Sequence, residues 1–388
     1  MIKTTLHPDL LHAIQSPHAQ FDVHCHIFTF NCVPKKFLFI HLPTSLEEGG
    51  NRIERILERI ISRTKKENIA NIKTFFDIGL SKSLDDVAET LFSYYNQHTI
   101  FCPLMMDLEW GLGNRPHIPF FDAAGEKIDQ ITLMEHLTEL FPHKLMPFIA
   151  IDPQNPHIND IFDRAFGKQS KGLFGGVKIY PALGYLPSNK ALMPIFEKCE
   201  ALQIPVTTHC GGSIIYTTER NLNVSGIQID QNGDLVQTEI KKRRINRAAG
   251  NKISKLLNSP QNWEPVLKTF PQLKLNLAHF GGKAVWQDYV KTGKNNTIND
   301  IISFMERYEY VYSDFSFNIF EPKFYEPYKQ LLEQNDLVKS RSLFGSDFYM
   351  ASIICDVKKA KNSFLHHMGK ELSYELTTVN PKKFLFGI

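Results

Sequence analysis

A short run near the amino terminus, Asp22-Val23-His24-Cys25-His26, carries two histidines separated by one residue. Side chains on a strand alternate between its two faces, so His24 and His26 are expected on one side and Val23 and Cys25 on the other. Neutral imidazole is a good ligand for zinc, iron or nickel, and two imidazoles on one face can bind a single ion. The pair alone is weak evidence, because two hydrogen-bonded polar histidines would give the same pattern.

Three further apolar runs end in a side chain that can bind a metal. His209, His279 and Asp347 each stand at the end of such a run, and glycines follow both histidines. The carboxyl ends of barrel strands are where enzymes of that architecture place their catalytic groups. Polar groups buried there without partners are costly, and a shared metal would supply one. The joint pattern predicts a metal site built by side chains that are far apart in the chain.

The elements that would position these side chains are eight apolar runs in alternation with amphipathic segments. Several runs are too apolar for a sheet with one wet face, which is typical of parallel strands covered on both sides. The alternation predicts an α/β protein with a closed (β/α)₈ TIM barrel, and an open doubly wound sheet is the alternative. The predicted strands are 21–27, 100–106, 145–151, 175–179, 204–208, 274–278, 310–312 and 342–345, and the predicted helices are 46–66, 84–96, 158–166, 191–202, 264–270, 299–308 and 327–334.

Two connections are longer than a strand–helix unit requires, namely residues 28–73 after strand 1 and 210–261 after strand 5. We interpret both as helical or loop insertions that cap a site or make a subunit contact. No linker rich in Gly, Ser or Pro and no internal repeat interrupts the pattern. Residues 1–388 are therefore predicted to form a single domain.

Composition and charge exclude several classes of partner. Lys plus Arg is 44 and Asp plus Glu is 41. The resulting formal charge of +3 is too small an excess of positive charge to indicate a nucleic-acid partner. The first twenty residues lack the apolar core of a signal peptide, and the nearest apolar stretch, 37–42, is too short to span a bilayer. Six scattered cysteines form no Cys-x-x-Cys pair, which favours reduced thiols. We expect a cytoplasmic protein without nucleic-acid or membrane partners.

The order of these motifs resembles that of the amidohydrolase superfamily. The end of the chain resembles the terminal helix of its amidohydrolase-related branch (amidohydrolase 2), which includes aminocarboxymuconate-semialdehyde decarboxylase and related metal-dependent hydrolases. The resemblance spans residues 21–388, while the two insertions and the first twenty residues match no motif of the family. The residues that carry it are Asp22-x-His24-x-His26, Gly176-Val-Lys178-Ile-Tyr-Pro181, Thr208-His209, Ala278-His279-x-Gly281-Gly282, Gly345-Ser-Asp347 and Asn380-Pro-Lys-Lys-Phe384-Leu-Phe-Gly387.

The resemblance implies a ligand set. His24, His26, His209 and Asp347 would bind one divalent metal, with Zn²⁺ as the first expectation and Mn²⁺, Fe²⁺ and Ni²⁺ as alternatives. His279 would bind a second metal or act as a general acid that polarises the substrate.

Lys178 has three interpretations. In binuclear relatives such a lysine is carboxylated and bridges two metals; here it could instead bind a substrate carboxylate, which we favour, or form a salt bridge inside the barrel. One ion is favoured, and two are expected only if Lys178 is carboxylated.

Trp110, Tyr180 and Arg220 are predicted on loops over the same face, where they would shape a substrate pocket. Asp314, near another strand end, is expected to cap a helix.

The implied reaction is hydrolysis of an amide, ester or lactone bond of a small molecule by a metal-activated water. Asp347 would accept the proton of the water and pass it to the leaving group, while His279 stabilises the oxyanion or donates a proton.

The first alternative is metal-dependent non-oxidative decarboxylation of a small carboxylic acid on the same site. A ligand-binding barrel without catalysis and a metal-dependent nuclease are further alternatives, although such nucleases have a carboxylate where this chain has Lys178. Homodimers are common in the superfamily, so a homodimer is one expectation.

Overall fold

The structure is a computed structural model that describes residues 6–33, 36–37, 40–41, 69–81, 83–112, 120–121, 127–213, 215–219, 221–243 and 247–388. Within these residues, eight strands form the centre of the fold, at or within a few residues of the predicted positions. They are β1 Gln20–Cys25, β2 Thr99–Pro103, β3 Phe148–Ala150, β4 Gly176–Ile179, β5 Val206–Thr208, β6 Leu275–Leu277, β7 Val311–Asp314 and β8 Ser342–Leu343.

The strands close into a barrel. β3 to β8 form one parallel sheet in the order β8-β7-β6-β5-β4-β3, and β1 pairs with β2 in parallel. A parallel bridge between Phe101 and Leu145 joins β2 to β3. On the other side, the backbone N–H of Val23 donates to the carbonyl of Phe344 at 3.1 Å, which joins β1 to β8. The prediction of a closed (β/α)₈ barrel is therefore confirmed, and the open sheet is excluded.

At least one helix lies between each pair of successive strands. The predicted helices are confirmed to within a few residues at most ends, except that the predicted helix 46–66 lies outside the described residues. No helix in the described part of the chain has both the length and the apolarity needed to cross a membrane. The helices are α1 Pro8–Gln15, α2 Ile69–Gly79, α3 Leu84–Phe92, α4 Gln130–Leu140, α5 Ile158–Phe166, α6 Met193–Leu202, α7 Arg247–Leu257, α8 Glu264–Thr269, α9 Lys283–Thr292, α10 Asn296–Arg307, α11 Tyr325–Gln334, α12 Asp336–Ser340, α13 Val357–Tyr374 and α14 Asn380–Phe386.

Apolar side chains fill two layers, one inside the barrel and one between the barrel and its helices. Alternation along β2 turns Phe101 outward, where its ring centroid lies 5.2 Å from that of Phe92 in α3. Its neighbour Cys102 belongs to the interior cluster. Leu10 of α1 and Phe384 of α14 pack against the same cluster, so the two ends of the chain cover the amino end of the barrel.

Strand β1 departs from strict alternation. Its register with β2 shifts between Asp22 and Cys25, which is the signature of a β-bulge. Val23 and Cys25 were expected on one face, but Val23 packs in the interior cluster and Cys25 in the outer one. The bulge allows Val23 to fill the interior while His24 and His26 still reach the carboxyl end together.

The connection after β5 contains structure beyond a strand–helix unit. An antiparallel hairpin pairs Leu222–Ile229 with Leu235–Lys242 ahead of α7. A small separate apolar cluster holds the hairpin and α7 together, which gives this insertion a core of its own. That the insertion caps a site or contacts a second subunit stays a prediction. The cluster consists of Leu186, Leu222, Val224, Ile253 and Leu257.

Candidate metal centre

Four histidines and one aspartate meet at the carboxyl end of the barrel. His24 and His26 come from the end of β1, while His209, His279 and Asp347 follow β5, β6 and β8. The ring centroids of His24 and His279 are 4.6 Å apart, and those of His209 and His279 are also 4.6 Å apart. The structure therefore brings together the whole group of side chains that the sequence analysis selected for ligand and acid–base roles.

Three electron-rich atoms of this cluster face one another. The Asp347 Oδ1 atom lies 3.1 Å from His26 Nε2 and 3.8 Å from His24 Nε2. His26 Nδ1 is 2.8 Å from the carbonyl of Leu104, which can only accept, so Nδ1 carries the hydrogen. His24 Nδ1 is likewise 3.0 Å from Asp314 Oδ2. Both rings thus turn Nε2 toward a carboxylate oxygen, and a proton or a metal cation must lie between them.

The protonation states favour the metal. Burial lowers the pKa of His24 to about 4, and burial also holds the pKa values of His209 and His279 below the usual value. Burial raises the pKa of Asp347, but the hydrogen bond with His26 and the electrostatic influence of the surrounding imidazoles outweigh it and leave the pKa below its usual value. Neutral imidazoles and an ionised carboxylate are the forms that bind metal ions.

Unpartnered donor atoms point into the same space. The potential ligand atoms of His24, His279 and Asp347 all lie within 4.8 Å of one another. His209 Nδ1 is 3.1 Å from His279 Nε2, while His209 Nε2 is buried and has no hydrogen-bond partner among the described residues. A buried polar atom without a partner is costly. The donor set therefore fits a divalent metal. His279 lies within this group of donor atoms, although the family resemblance implies His24, His26, His209 and Asp347 as the ligands.

Asp314 belongs to the hydrogen-bond network of the cluster, whereas the sequence analysis predicted that it caps a helix. It does not cap a helix; its carboxylate accepts hydrogen bonds from Asn276 Nδ2 at 2.7 Å and from the backbone N–H of His279 at 3.0 Å. Ser316 Oγ also donates to Asp314 and lies 3.0 Å from His24 Nδ1. Burial raises the pKa of Asp314, but the charge and hydrogen bond of His24 hold it far below its usual range. Asp314 thus orients the imidazole ring of His24 and holds the backbone of His279.

Two signals in the sequence point to this network. Asp314 is the last residue of β7, so it stands at a strand end just as Asp347 does. Asn276 is a buried amide within the otherwise apolar strand β6. A polar residue in a buried strand requires a partner, and here the partner is the carboxylate of Asp314.

Lys178 lies inside the barrel on β4, as predicted, and is 2% exposed. Its Nζ atom has no hydrogen-bond partner among the described residues, so the interpretation as a salt-bridged lysine finds no support there. Burial lowers the pKa of Lys178 to about 8, although the charges of Asp314 and Asp347 oppose the shift. Near neutral pH, Lys178 is mostly a buried ammonium group on which the charges of Asp314 and Asp347 act, without a hydrogen bond to either in the described part of the chain.

The remaining predicted substrate contacts have different surroundings. The ring centroid of Tyr180 lies 4.6 Å from that of His209, and its hydroxyl is hydrogen-bonded to Ser213, so Tyr180 supports the position of His209. Trp110 is half-buried on the loop after β2, and no ring contact or hydrogen bond links it to the histidines in the described part of the chain. Arg220 lies outside the described residues. Substrate contact by these three residues stays a prediction.

Two residues of the cluster have left-handed backbone conformations. The φ angle is 64° at His279 and 53° at Asp347. Non-glycine residues in such conformations cost roughly 1–3 kcal/mol each and are found preferentially at functional sites. The tight backbone turns here place side chains from β6 and β8 over the mouth of the barrel.

Residues 137–377, more than half of the chain, match the sequence model of the family described as Amidohydrolase. No curated protein sequence matches the chain significantly.

Three solved structures are similar to the chain over nearly its whole length. An uncharacterized TIM-barrel protein from Bordetella bronchiseptica is 13% identical, with 95% of this chain and 98% of that chain covered and a TM-score of 0.49. 4-Oxalomesaconate hydratase from Rhodopseudomonas palustris is 13% identical, with 94% and 95% covered and a TM-score of 0.48. A mutant 5-carboxyvanillate decarboxylase from Novosphingobium aromaticivorans, solved with bound manganese, is 12% identical, with 96% and 98% covered and a TM-score of 0.48. Similarity at this level identifies no reaction.

Proposed function

The chain belongs to the amidohydrolase family and is an enzyme, and on that premise we propose that it is a metal-dependent hydrolase that cleaves an amide, ester or lactone bond of a small molecule. One observation carries the proposal: the Nε2 atoms of His24 and His26 converge on the ionised carboxylate of Asp347. Each ring is held in that orientation by a hydrogen bond on its other nitrogen, as is usual for metal-binding histidines.

We propose His24, His26, His209 and Asp347 as the ligands of a single divalent ion. The buried and unpartnered Nε2 atom of His209 supports its inclusion. Zn²⁺ is the first expectation for nitrogen and carboxylate donors, with Mn²⁺, Fe²⁺ and Ni²⁺ as alternatives. When bound, such an ion supplies a Lewis acid and a water nucleophile at neutral pH.

Asp347 is the proposed proton carrier. Its carboxylate is ionised at neutral pH, so it can accept the proton that the attacking water loses. The same proton then passes to the leaving group, so hydrolysis consumes one water and leaves Asp347 ionised again.

His279 is proposed to stabilise the oxyanion or donate a proton. Its Nδ1 atom is held by Ser316 Oγ at 2.8 Å, and its Nε2 atom faces His209 Nδ1 at 3.1 Å. Nε2 is therefore the atom that can contact a substrate, in exchange for its contact with His209. Such a group stabilises developing charge in the transition state most strongly where water is excluded, as in this buried cluster.

Replacement of Asp347 tests the proposal. The Asp347→Asn variant keeps the shape but cannot carry the proton, and we expect kcat to fall about 10²–10⁴-fold. Turnover would be measured on an ester, 4-nitrophenyl acetate, and a lactone, dihydrocoumarin, together with bound metal by elemental analysis. The control is Asp163→Asn on the exposed face of α5, where Asp163 pairs with Lys198. Full activity of Asp347→Asn on a substrate that the wild type turns over would refute the mechanism, and a wild type without affinity for Zn²⁺ or Mn²⁺ would favour a non-catalytic barrel.

A second candidate function is non-oxidative decarboxylation on the same site. The observation that favours it is the buried ammonium of Lys178, which has no hydrogen-bond partner among the described residues and would bind a substrate carboxylate. Product analysis separates the two reactions. Release of carbon dioxide from an aromatic or unsaturated carboxylic acid, without any hydrolysed bond, would select decarboxylation.

The number of metal ions follows from the state of Lys178. We propose one ion with Lys178 as an ammonium group, because a carboxylated lysine would be needed to bridge two. Elemental analysis that finds two ions for each chain would instead favour carboxylation.

The composition supports the remaining proposals: a small-molecule substrate, a cytoplasmic location, and no nucleic-acid or membrane partner. A single domain over residues 1–388 and a homodimer stay proposals for calorimetry and sedimentation to test.

A further inference from the structure

A cavity of about 600 Å³ lies at the amino end of the barrel, opposite the histidine cluster. Its wall includes the residues that directly precede five successive strands, β4 to β8. Cavities of about 300–1,000 Å³ are typical of sites for small organic ligands. The volume therefore suits an organic molecule better than a single ion. The five residues are Gly175, Pro205, Lys274, Tyr310 and Arg341.

Positive charge exceeds negative charge on this wall. Lys274, Arg341 and Lys383 contribute cationic groups, while Glu309 is the one carboxylate among the lining residues. Lys274 is 4% exposed and Arg341 is half-buried, so two of the cations lie within the cavity rather than at its rim. An anionic ligand is favoured by this balance.

Arg341 has hydrogen-bond partners on the backbone alone among the described residues. Its Nη1 atom donates to the carbonyls of Met305 and Tyr308, both at 2.7 Å. It forms no ion pair with a carboxylate in the described part of the chain. A guanidinium has five N–H donors in a planar fork that matches carboxylate and phosphate groups. The backbone contacts hold Arg341 in place and leave its other nitrogens for a ligand.

Aromatic rings form much of the remaining wall. Phe166 and Phe174 line it from the α5 and β4 side, and Tyr310 and Tyr312 line it from β7. The ring centroid of Tyr312 is 5.1 Å from that of Phe384, which fixes its orientation. Such rings would pack against a flat apolar body and stabilise it through buried area.

We propose that this cavity is a second ligand site that binds a small organic anion, with a carboxylate or phosphate group against Arg341 and Lys274 and an aromatic body against the tyrosines and phenylalanines. The site is at the end of the barrel away from the metal centre. It is therefore independent of the proposed reaction, and its ligand would act as an effector or a stabiliser rather than as the substrate.

Isothermal titration of the full chain tests the site with four probes. Benzoate and phenyl phosphate carry the two anionic groups, inorganic phosphate lacks the aromatic body, and benzyl alcohol lacks the charge. We expect one aromatic anion to bind at one site for each chain, with benzyl alcohol and inorganic phosphate at least tenfold weaker. The stronger of the two aromatic anions identifies the preferred group. No binding of either aromatic anion at millimolar concentration overturns the proposal.

Variants locate the binding. Arg341→Gln and Lys383→Gln should each weaken it, Arg341→Gln by at least tenfold, and Ser170→Trp should block the cavity without removing a charge. If loss of the backbone contacts of Arg341 prevents folding, Lys383→Gln and Ser170→Trp still test the site. Lys178→Met, at the catalytic end, should bind like the wild type. Binding that survives Ser170→Trp, or that is lost in Lys178→Met, would place the probe elsewhere and overturn the proposal.

Discussion

At the scale of single residues, the chemistry depends on which nitrogen of each histidine carries the hydrogen. The carbonyl of Leu104 and the carboxylate of Asp314 select Nδ1 as the protonated atom of His26 and His24. Both Nε2 atoms then face Asp347. The proposed metal site depends on these partners because they orient both rings, and they come from the end of β2 and from β7 rather than from β1.

The role of Asp314 as an orienting group can be measured. Asp314→Asn removes the charge that holds the Nδ1–H of His24, so we expect metal affinity to fall about 10–100-fold. The affinity would be determined by titration of the metal-free protein in competition with a chelating dye. Asp163→Asn again serves as the control, and an unchanged affinity of Asp314→Asn would show that the carboxylate is only structural.

Lys178 should make substrate binding depend on pH. With a pKa of about 8, it is an ammonium group below pH 8 and becomes neutral above it. The KM of a carboxylate substrate should therefore rise as the pH passes 8, and Lys178→Met should have a KM about 10–100-fold higher at pH 7, from the loss of a charged hydrogen bond of about 1.5–3 kcal/mol. The KM of a neutral ester should show neither effect; if it changes equally, Lys178 does not bind the carboxylate.

At the scale of elements, the site depends on the seam between β1 and β8. The backbone N–H of Asp347 donates to the carbonyl of His24 at 2.7 Å, which ties the end of one strand to the end of the other. The bulge in β1 and the positive φ angle of Asp347 adjust the two strand ends so that their side chains meet. The seam is tight because Gly345 contacts His24 directly, and no larger residue fits there.

A methyl group at position 345 should disturb the metal site. A Cβ atom on Gly345 would lie 2.5 Å from His24 Cβ, closer than a Cβ atom comes to a neighbour, and 3.1 Å from Ser316 Cβ, a tight contact. We expect Gly345→Ala to lose about 1–3 kcal/mol of unfolding free energy through overpacking and to bind metal more weakly. Gly212→Ala is the matched control, since its nearest neighbour would be Lys255 Cε at 3.4 Å. Chemical denaturation and metal titration would check both, and equal behaviour of the two variants would contradict the prediction.

At the scale of the whole molecule, barrel closure separates the two proposed sites, one at each end. The carboxyl end gathers the histidines, and the amino end is covered by α1 and α14 and holds the cationic cavity. The apolar interior cluster lies between them, so the metal centre and the cavity can bind different molecules.

Metal removal should lower the stability of the entire fold. The proposed ligands come from β1, β5 and β8, so an ion that binds them links distant parts of the barrel and binds only the folded state. At a free metal concentration about 100 times the Kd, the stabilisation is about 2.7 kcal/mol. We expect a chelator to lower Tm by several degrees and added Zn²⁺ or Mn²⁺ to restore it, in one cooperative transition if residues 1–388 form a single domain. A Tm that does not respond to chelator or metal would argue against a bound ion.

The sequence by itself determined the strand positions, most helix positions and the five side chains that gather at the carboxyl end. These are local properties, because apolar length, periodicity and a polar residue at a strand end can be read within a few residues. Only the tertiary structure decided that Asp314 orients His24, a residue 290 positions away in the chain, that a bulge redirects β1, and that the cations before β6 and β8 line one cavity. Those contacts depend on barrel closure and strand register, which bring together residues with no pattern in common along the chain.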